Sequence, residues 1–223
     1  MSGHSEARRD HLIMAEAKPK CRLYLQLPVP STALIESQLA QALSNTRIAC
    51  VLLSSGEGPL DEIHAVRLID LVEATGAACL IDGDVLLAER LGADGVHIEA
   101  DAQAYTQARE RLGKEASIGA SCAFSRHDAI RLAEMGADYV AFGATVPSGI
   151  ETIEQCSNLI SWWAEMFVVP CVAWNIDKPD DAARLARLGA DFVAPSRRIW
   201  LDGNPTGLIA EIEHAIADER RAA

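Results

Sequence analysis

The sequence predicts an α/β protein built as a single (β/α)8 TIM barrel, and three observations carry that expectation. The first is a joint that occurs three times: Leu91-Gly92-Ala93-Asp94-Gly95-Val96-His97-Ile98, Met135-Gly136-Ala137-Asp138-Tyr139-Val140-Ala141-Phe142, and Leu188-Gly189-Ala190-Asp191-Phe192-Val193-Ala194-Pro195. Each copy follows an amphipathic helical stretch and leads into a short apolar run. A glycine just past a helix can take the left-handed conformation that closes the helix C-terminus. A short run that is apolar on both faces suits a parallel strand covered by helices. The second observation is the alternation of strand and helix, eight times, with short connections. The third is the stretch after the first strand, Leu27-Pro28-Val29-Pro30-Ser31, which lacks the glycine-rich phosphate turn of a doubly wound open sheet.

Taken in order, the first strand is expected at 22–27 and the first helix at 32–44. The second strand, 48–53, is the apolar run Ile48-Ala49-Cys50-Val51-Leu52-Leu53, followed by a helix at 61–75. The third strand, 77–81, ends on Asp82-Gly83-Asp84, and its helix runs 84–91. The first joint sets the fourth strand at 94–98, and the helix after it, 102–112, is exposed and weakly patterned. The fifth strand, 117–121, ends on Ser121-Cys122 and precedes a helix at 125–135 with the amphipathic segment Asp128-Ala129-Ile130-Arg131-Leu132-Ala133-Glu134. The second joint sets strand six at 138–142, with a helix at 153–166. Strand seven is 171–174 with a helix at 179–188, and the third joint sets strand eight at 191–194 with a helix at 206–218. The barrel then spans 21–219, and the polar segment 1–20 is expected to be a flexible N-terminal tail.

Composition limits the functions available. The 223 residues are 49% hydrophobic and 23% charged, which is globular. The net charge of −12 argues against a binder of bare nucleic acid, which normally shows a basic patch or total. No stretch reaches the ~18 apolar residues of a membrane span, and the N-terminus has no apolar signal-peptide core. Cys21, Cys50, Cys79, Cys122, Cys156 and Cys171 form no CxxC and no metal-ligand spacing. They read as small core residues in a reducing compartment, and the expected location is the cytoplasm.

In such barrels ligands gather at the C-terminal ends of the strands. Asp82 and Asp84 follow strand three, and His97 and Asp101 lie at the end of strand four. The carboxylates of Asp82, Asp84 and Asp101 suit Mg²⁺, which often bridges a protein carboxylate and a substrate phosphate. Asp84 and Asp101 have an alternative use as caps of the next helix. His97 is a candidate general acid/base or anion donor. Ser121, at the end of strand five, is a candidate for binding an anion or donating to a leaving group, and no histidine base is evident for a serine triad. Gly143, after strand six, would let a ligand approach the backbone. Asn175 follows strand seven, and Ser196, Arg197 and Arg198 follow strand eight, where barrels often bind phosphate; guanidiniums bind phosphate through paired donors. The expected ligand is therefore a small phosphorylated molecule. Trp162, Trp163 and Phe167 cluster on one helix, which suggests either core packing or a homo-oligomer contact.

Four phrases taken together resemble the thiamine-phosphate synthase family, which also contains the thiazole tautomerases. They are Asp82-Gly83-Asp84-Val85, the joint ending Gly95-Val96-His97-Ile98, Ser117-Ile118-Gly119-Ala120-Ser121, and Gly136-Ala137-Asp138-Tyr139-Val140-Ala141-Phe142-Gly143. The resemblance runs from about Leu23 to Ile199. It implies a transferase of thiamine biosynthesis that joins hydroxymethylpyrimidine pyrophosphate to a thiazole phosphate with Mg²⁺. His97, Ser121, Gly143 and, approximately, Ser196 match the family pattern. Elsewhere the chain departs from it. The Arg-Glu-Lys-like phrase after strand two is Ser54-Ser55-Gly56-Glu57. The Asn-Asp-Arg after strand three is Asp82-Gly83-Asp84, and the second metal Asp position is Ala102. The loop Pro147-Ser148-Gly149-Ile150 lacks the family's lysine, and Gly-Gly after strand seven is Trp174-Asn175. No histidine follows strand six, where a tautomerase would need one. These differences predict a strongly altered active site and leave two readings open: an active synthase with an acidic metal site, or an inactive relative that binds a phosphorylated or thiazole-like ligand or a protein partner.

Overall fold

The computed structural model describes residues 21–55, 60–144, 149–201 and 203–222. The segment 1–20, Gly56 and Glu57 after the second strand, and Pro147-Ser148 after the sixth lie outside the described residues. The eight strands are β1 (Arg22–Val29), β2 (Ile48–Ser55), β3 (Ala78–Asp82), β4 (Gly95–Glu99), β5 (Ser117–Ala123), β6 (Tyr139–Phe142), β7 (Cys171–Trp174) and β8 (Phe192–Ala194). Each pairs in parallel with its sequence neighbour, and β8 pairs back to β1, closing the barrel. The helices between and after them are α1 (Ala33–Asn45), α2 (Glu62–Glu73), α3 (Val85–Leu91), α4 (Ala102–Leu112), α5 (Arg126–Glu134), α6 (Gly149–Met166), α7 (Pro179–Arg187) and α8 (Pro205–Ala222). A short 3-10 turn, Arg197–Leu201, precedes α8. The (β/α)8 barrel expected from the sequence is the fold observed. No described helix is long and apolar enough to cross a membrane.

Strand alternation separates two apolar layers. Outward-facing Leu23, Leu25, Leu27, Val51, Leu53, Cys79, Ile81, Val96 and Ile118 pack beneath the helices. Inward-facing Tyr24, Cys50, Leu52, Ala78, Leu80, Tyr139, Ala141, Val172, Phe192 and Ala194 fill the barrel. Both faces of each strand are therefore covered, which is why the strands read as unbroken apolar runs. Large and small interior residues interlock. On β5, a Cβ added to Gly119 would stand 1.9 Å from Cζ of Tyr139, so only glycine lets that ring lie across the strand.

The three Gly-Ala-Asp joints are built alike. The glycine and alanine amides close the preceding helix by a pair of bonds, Gly136 to Ala133 O (3.0 Å) and Ala137 to Leu132 O (3.0 Å) in the second copy. The glycines at 92, 136 and 189 have φ of 70°, 97° and 102°, the left-handed helix-closing conformation. The aspartate then clamps the start of the strand before it. Asp94, Asp138 and Asp191 accept the amides of Cys79, Ile118 and Cys171, each at 2.8 Å, and their own amides donate back to the same three residues. Because the aspartate is the clamp, β4, β6 and β8 each begin one residue later than the sequence suggested. Strands β1, β2 and β5 run two residues further than expected, and α6 starts four residues earlier. Each extension carries a strand into the mouth of the barrel.

Most helices start on a side-chain cap: Thr32, Asp61, Asp84, Asp101 and Ser125 each accept the amide three residues on, a bond worth about 1 kcal/mol. The aromatic cluster on α6 packs within the molecule. Trp163 is buried, stacks on Phe167 at 4.1 Å, meets Phe142 edge-on and donates Nε1 to Val169 O. Trp162 lies under the Arg126 guanidinium at 4.4 Å.

Candidate functional site

At the C-terminal ends of the strands the inward positions change from apolar to polar. Gln26, Ser54, Asp82, Glu99, Ser121 and Ser196, joined by His97, Trp174, Asn175, Arg197 and Arg198, border a cavity of about 210 Å³. His97 is its most deeply set ionisable group, at 3% exposure. The ring stacks on Trp174 at 4.7 Å and, offset, on Tyr139 at 5.7 Å. Its Nδ1 bonds the Tyr139 hydroxyl at 3.0 Å, and that hydroxyl bonds the Tyr24 hydroxyl at 2.8 Å. Its Nε2 is buried and has no hydrogen-bond partner among the described residues. Burial pushes the His97 pKa down to about 3, so the ring is neutral at physiological pH. Burial, with Cys50 and Asp82 nearby, pushes both tyrosines well above their ordinary value, so they act only as neutral hydroxyls.

Asp82 keeps an exposed edge on the rim. Withdrawal of water raises its carboxyl pKa, against the lowering effect of a Ser54 hydrogen bond and the Arg197 charge. Glu99 is exposed and borders the same cavity. Asp84 and Asp101 face other work: each gives Oδ1 to a helix-capping bond, to Leu87 N at 2.9 Å and Ala104 N at 2.6 Å. Among the described residues, no group of three or more His, Cys, Asp and Glu could hold a metal ion.

The loop residues after β6, β7 and β8 form one network. Gln26 donates Nε2 to Asn175 Oδ1 (3.0 Å) and Pro195 O (2.9 Å), and Asn175 donates Nδ2 to Ala144 O at 2.6 Å. Asn175 holds this position with φ of 61°. Gly143 is required by the chain itself, because a Cβ there would stand 2.5 Å from Trp174 O. Ser196 is buried, and both its donors go to Asp177: the amide at 2.6 Å and the hydroxyl at 2.7 Å. Arg197 and Arg198 are exposed on the cavity rim, and neither forms an ion pair with a described residue. Arg197 reaches only the Ser55 carbonyl, at 3.5 Å. Cys122 is buried, and its thiol is pushed up to about 12 by burial, so it is no nucleophile.

The thiamine monophosphate synthase family model matches residues 29–199. The chain belongs to that family. It is 36% identical over 195 residues to the thiamine-phosphate synthase of Erythrobacter litoralis, covering 84% of this chain and 92% of that one. It is 37% identical over 206 residues to that of Rhodospirillum centenum, covering 90% and 97%. The fold is similar to a thiamine phosphate pyrophosphorylase structure from Pyrococcus furiosus, with TM-score 0.73 and 20% identity over 92% of this chain.

Of the residues selected from the sequence, the structure gathers Asp82, His97, Ser121, Asn175, Ser196, Arg197 and Arg198 around one cavity. Gly143 borders a neighbouring cavity of about 490 Å³ that shares Trp174 and Asn175 as a wall. Asp84 and Asp101 do not border the His97 cavity. Sequence reasoning gave no role to Gln26, Ser54, Trp174, Asp177 or the two tyrosines. One signal was present: Gln26 is a polar residue between Leu25 and Leu27, on the same side of β1 as Tyr24.

Proposed function

We propose that the chain is a thiamine-phosphate synthase with an altered mouth, acting in the cytoplasm, where its six buried cysteines stay reduced. It joins a hydroxymethylpyrimidine, activated as the pyrophosphate, to a thiazole phosphate, and releases pyrophosphate. Relatives of that name align over nearly their whole length. The observation that carries the reading is the His97 cavity. It is lined by the neutral His97 ring stacked on the Trp174 indole, by the carboxylates of Asp82 and Glu99, and by the guanidiniums of Arg197 and Arg198. The half-buried Trp174 indole gives a planar pyrimidine a surface to lie against. Asp82 and Glu99 favour positive charge developing on the pyrimidine, by preorganised electrostatics. Arg197 and Arg198 hold an anionic phosphate. Ser121 borders the same space and offers a hydroxyl to a leaving oxygen.

The residues fit a Mg²⁺ carried in by a pyrophosphate rather than a cage made by the protein alone. Mg²⁺ commonly uses one or two carboxylates and completes its shell with substrate oxygens and water. Asp82 and Glu99 would hold it, and the ion would neutralise the departing pyrophosphate. Asp84 and Asp101 each have a second carboxylate oxygen, but their helix caps turn them to other duty.

One observation favours the second reading, a relative that binds without turnover. Asp177 takes both donors of Ser196, so Ser196 is not left to hold an anion. The test is direct: full-length protein, both substrates and Mg²⁺, with products separated by chromatography. Thiamine phosphate and pyrophosphate in equal amounts support the synthase. No product, with calorimetry showing that a substrate binds, replaces it with the second reading.

A further inference from the structure

His97, Tyr139 and Tyr24 come from β4, β6 and β1, and they meet because Gly119 on β5 leaves the space between β4 and β6 open. The direction of their hydrogen bonds decides what His97 can do. If Nδ1 donated, Tyr139 would have to donate onward to Tyr24, and the last proton would face Cys50, whose sulfur is a weak acceptor. In either direction Nε2 is buried and unbonded among the described residues, so the choice rests on the Nδ1 side. In the opposite direction, Tyr24 donates to Tyr139 and Tyr139 donates to the imidazole nitrogen, a stronger base than a phenol oxygen, and no proton is left facing sulfur. The ring proton then sits on Nε2. Asp82 is paired in register with His97 and, like Glu99, faces the same cavity.

We infer that Tyr139, held by Tyr24, fixes His97 as the Nε2–H tautomer, making it a neutral hydrogen-bond donor to an acceptor atom of the ligand and not a general base. Tyr139 and Tyr24 are positioning residues: Tyr139 touches the ring, Tyr24 touches Tyr139 and Trp174, and neither borders the cavity. The ligand's matching feature is a lone pair, on a ring nitrogen or on an ester or phosphate oxygen, brought against the His97–Trp174 wall. The donor role rests on the reading of this cavity as the substrate site, whereas the tautomer belongs to the free protein.

The experiment is long-range ¹H–¹⁵N correlation NMR on the full chain labelled with ¹⁵N-histidine. The His97 signals are assigned by their loss in His97→Asn. The expected wild-type spectrum has a protonated Nε2 and an unprotonated Nδ1 shifted by an accepted hydrogen bond. In Tyr139→Phe, the Nδ1 resonance moves to the value of an unbonded, pyridine-like nitrogen. A protonated Nδ1 in the wild type overturns the inference, and needs no variant to fold. An Nδ1 resonance unchanged in folded Tyr139→Phe overturns the role of Tyr139. Hydroxymethylpyrimidine and inorganic pyrophosphate are then added separately. A downfield shift of the Nε2 proton with either supports the donor role and shows which one supplies the acceptor; no shift with either overturns that role. A protein with Nε2–H that makes no thiamine phosphate keeps the tautomer and loses the proposed function. A working synthase with Nδ1–H does the reverse.

Discussion

Replacing Asp138 by alanine tests how the repeated joint holds the barrel. The Asp138 carboxylate accepts the Ile118 amide at 2.8 Å and the Arg109 guanidinium at 2.6 Å. The Asp138 side chain is 12% exposed and that of Arg109 is 21% exposed. Removing the carboxylate leaves the Ile118 amide at a buried strand start without its acceptor, a loss of about 1–3 kcal/mol. Arg109 is not stranded, because it also donates to Ala116 O, Gly113 O and Tyr105. The ion pair therefore adds only about 1 kcal/mol. The sum is about 3 kcal/mol, and at ~2–4 °C per kcal/mol for a chain of this size Tm falls by about 6–12 °C. Chemical denaturation of Asp138→Ala, Arg109→Ala and the double variant separates the two parts. In the Arg109→Ala background, Asp138→Ala still costs about 2 kcal/mol. Asp138→Asn, which keeps an acceptor but no charge, loses about half of the full effect. A loss below about 0.5 kcal/mol for Asp138→Ala, the range of an ordinary surface change, would refute the clamp.

Other predictions follow from the same structure. Gly119→Ala forces a methyl group into the Tyr139 ring, and overpacking of this kind costs about 1–3 kcal/mol; thermal melts read the loss, and a neutral effect contradicts the interior packing. His97 is neutral when folded, with a pKa of about 3, and titrates near 6.5 when unfolded. Its contribution to stability is therefore complete above about pH 6.5. It is lost as pH falls toward 3, by about 1.4 kcal/mol per unit once the unfolded ring is protonated. The raised pKa of Asp82 acts in the opposite sense, favouring the folded state at low pH. The difference in stability between wild type and His97→Asn, followed from pH 7.5 to 5, shows the histidine part, and a difference independent of pH would contradict the buried neutral ring. Arg197→Ala removes an exposed rim guanidinium and weakens binding of thiazole phosphate by about tenfold, the loss of one charge-assisted contact. Calorimetry measures it, and an unchanged Kd removes Arg197 from the anion site.

The scaffold was legible in the sequence because its cues are local. Each joint places glycine, alanine and aspartate within a few residues of the strand they start, so strand ends and the mouth followed directly. The aspartate's partner was not legible, since the amide it clamps lies 15 to 20 residues back in the chain. The site was legible only as far as strand ends reach. His97, Asn175 and Arg197 stand at those ends and were found. The Tyr24–Tyr139–His97 chain joins three strands across separations of 115 and 42 residues, and no local pattern reports it. Asp84 and Asp101 show the opposite difficulty. A carboxylate just after a strand suits a metal and a helix cap equally well, and only the position of the next helix decides between them. Asp177 is paired with Ser196 by the fold, which changes what Ser196 can offer without changing a residue that the sequence marks.

The central claim is that chemistry takes place at the His97 wall of the barrel mouth. The most direct measurement compares the rate of thiamine phosphate formation by wild-type protein and by His97→Asn, with both substrates saturating, Mg²⁺ present and folding of the variant confirmed. The account predicts product from the wild type and a rate lower by about a hundredfold or more in the variant, the scale of removing a positioned group at the reacting centre. Equal rates in the two proteins would contradict it.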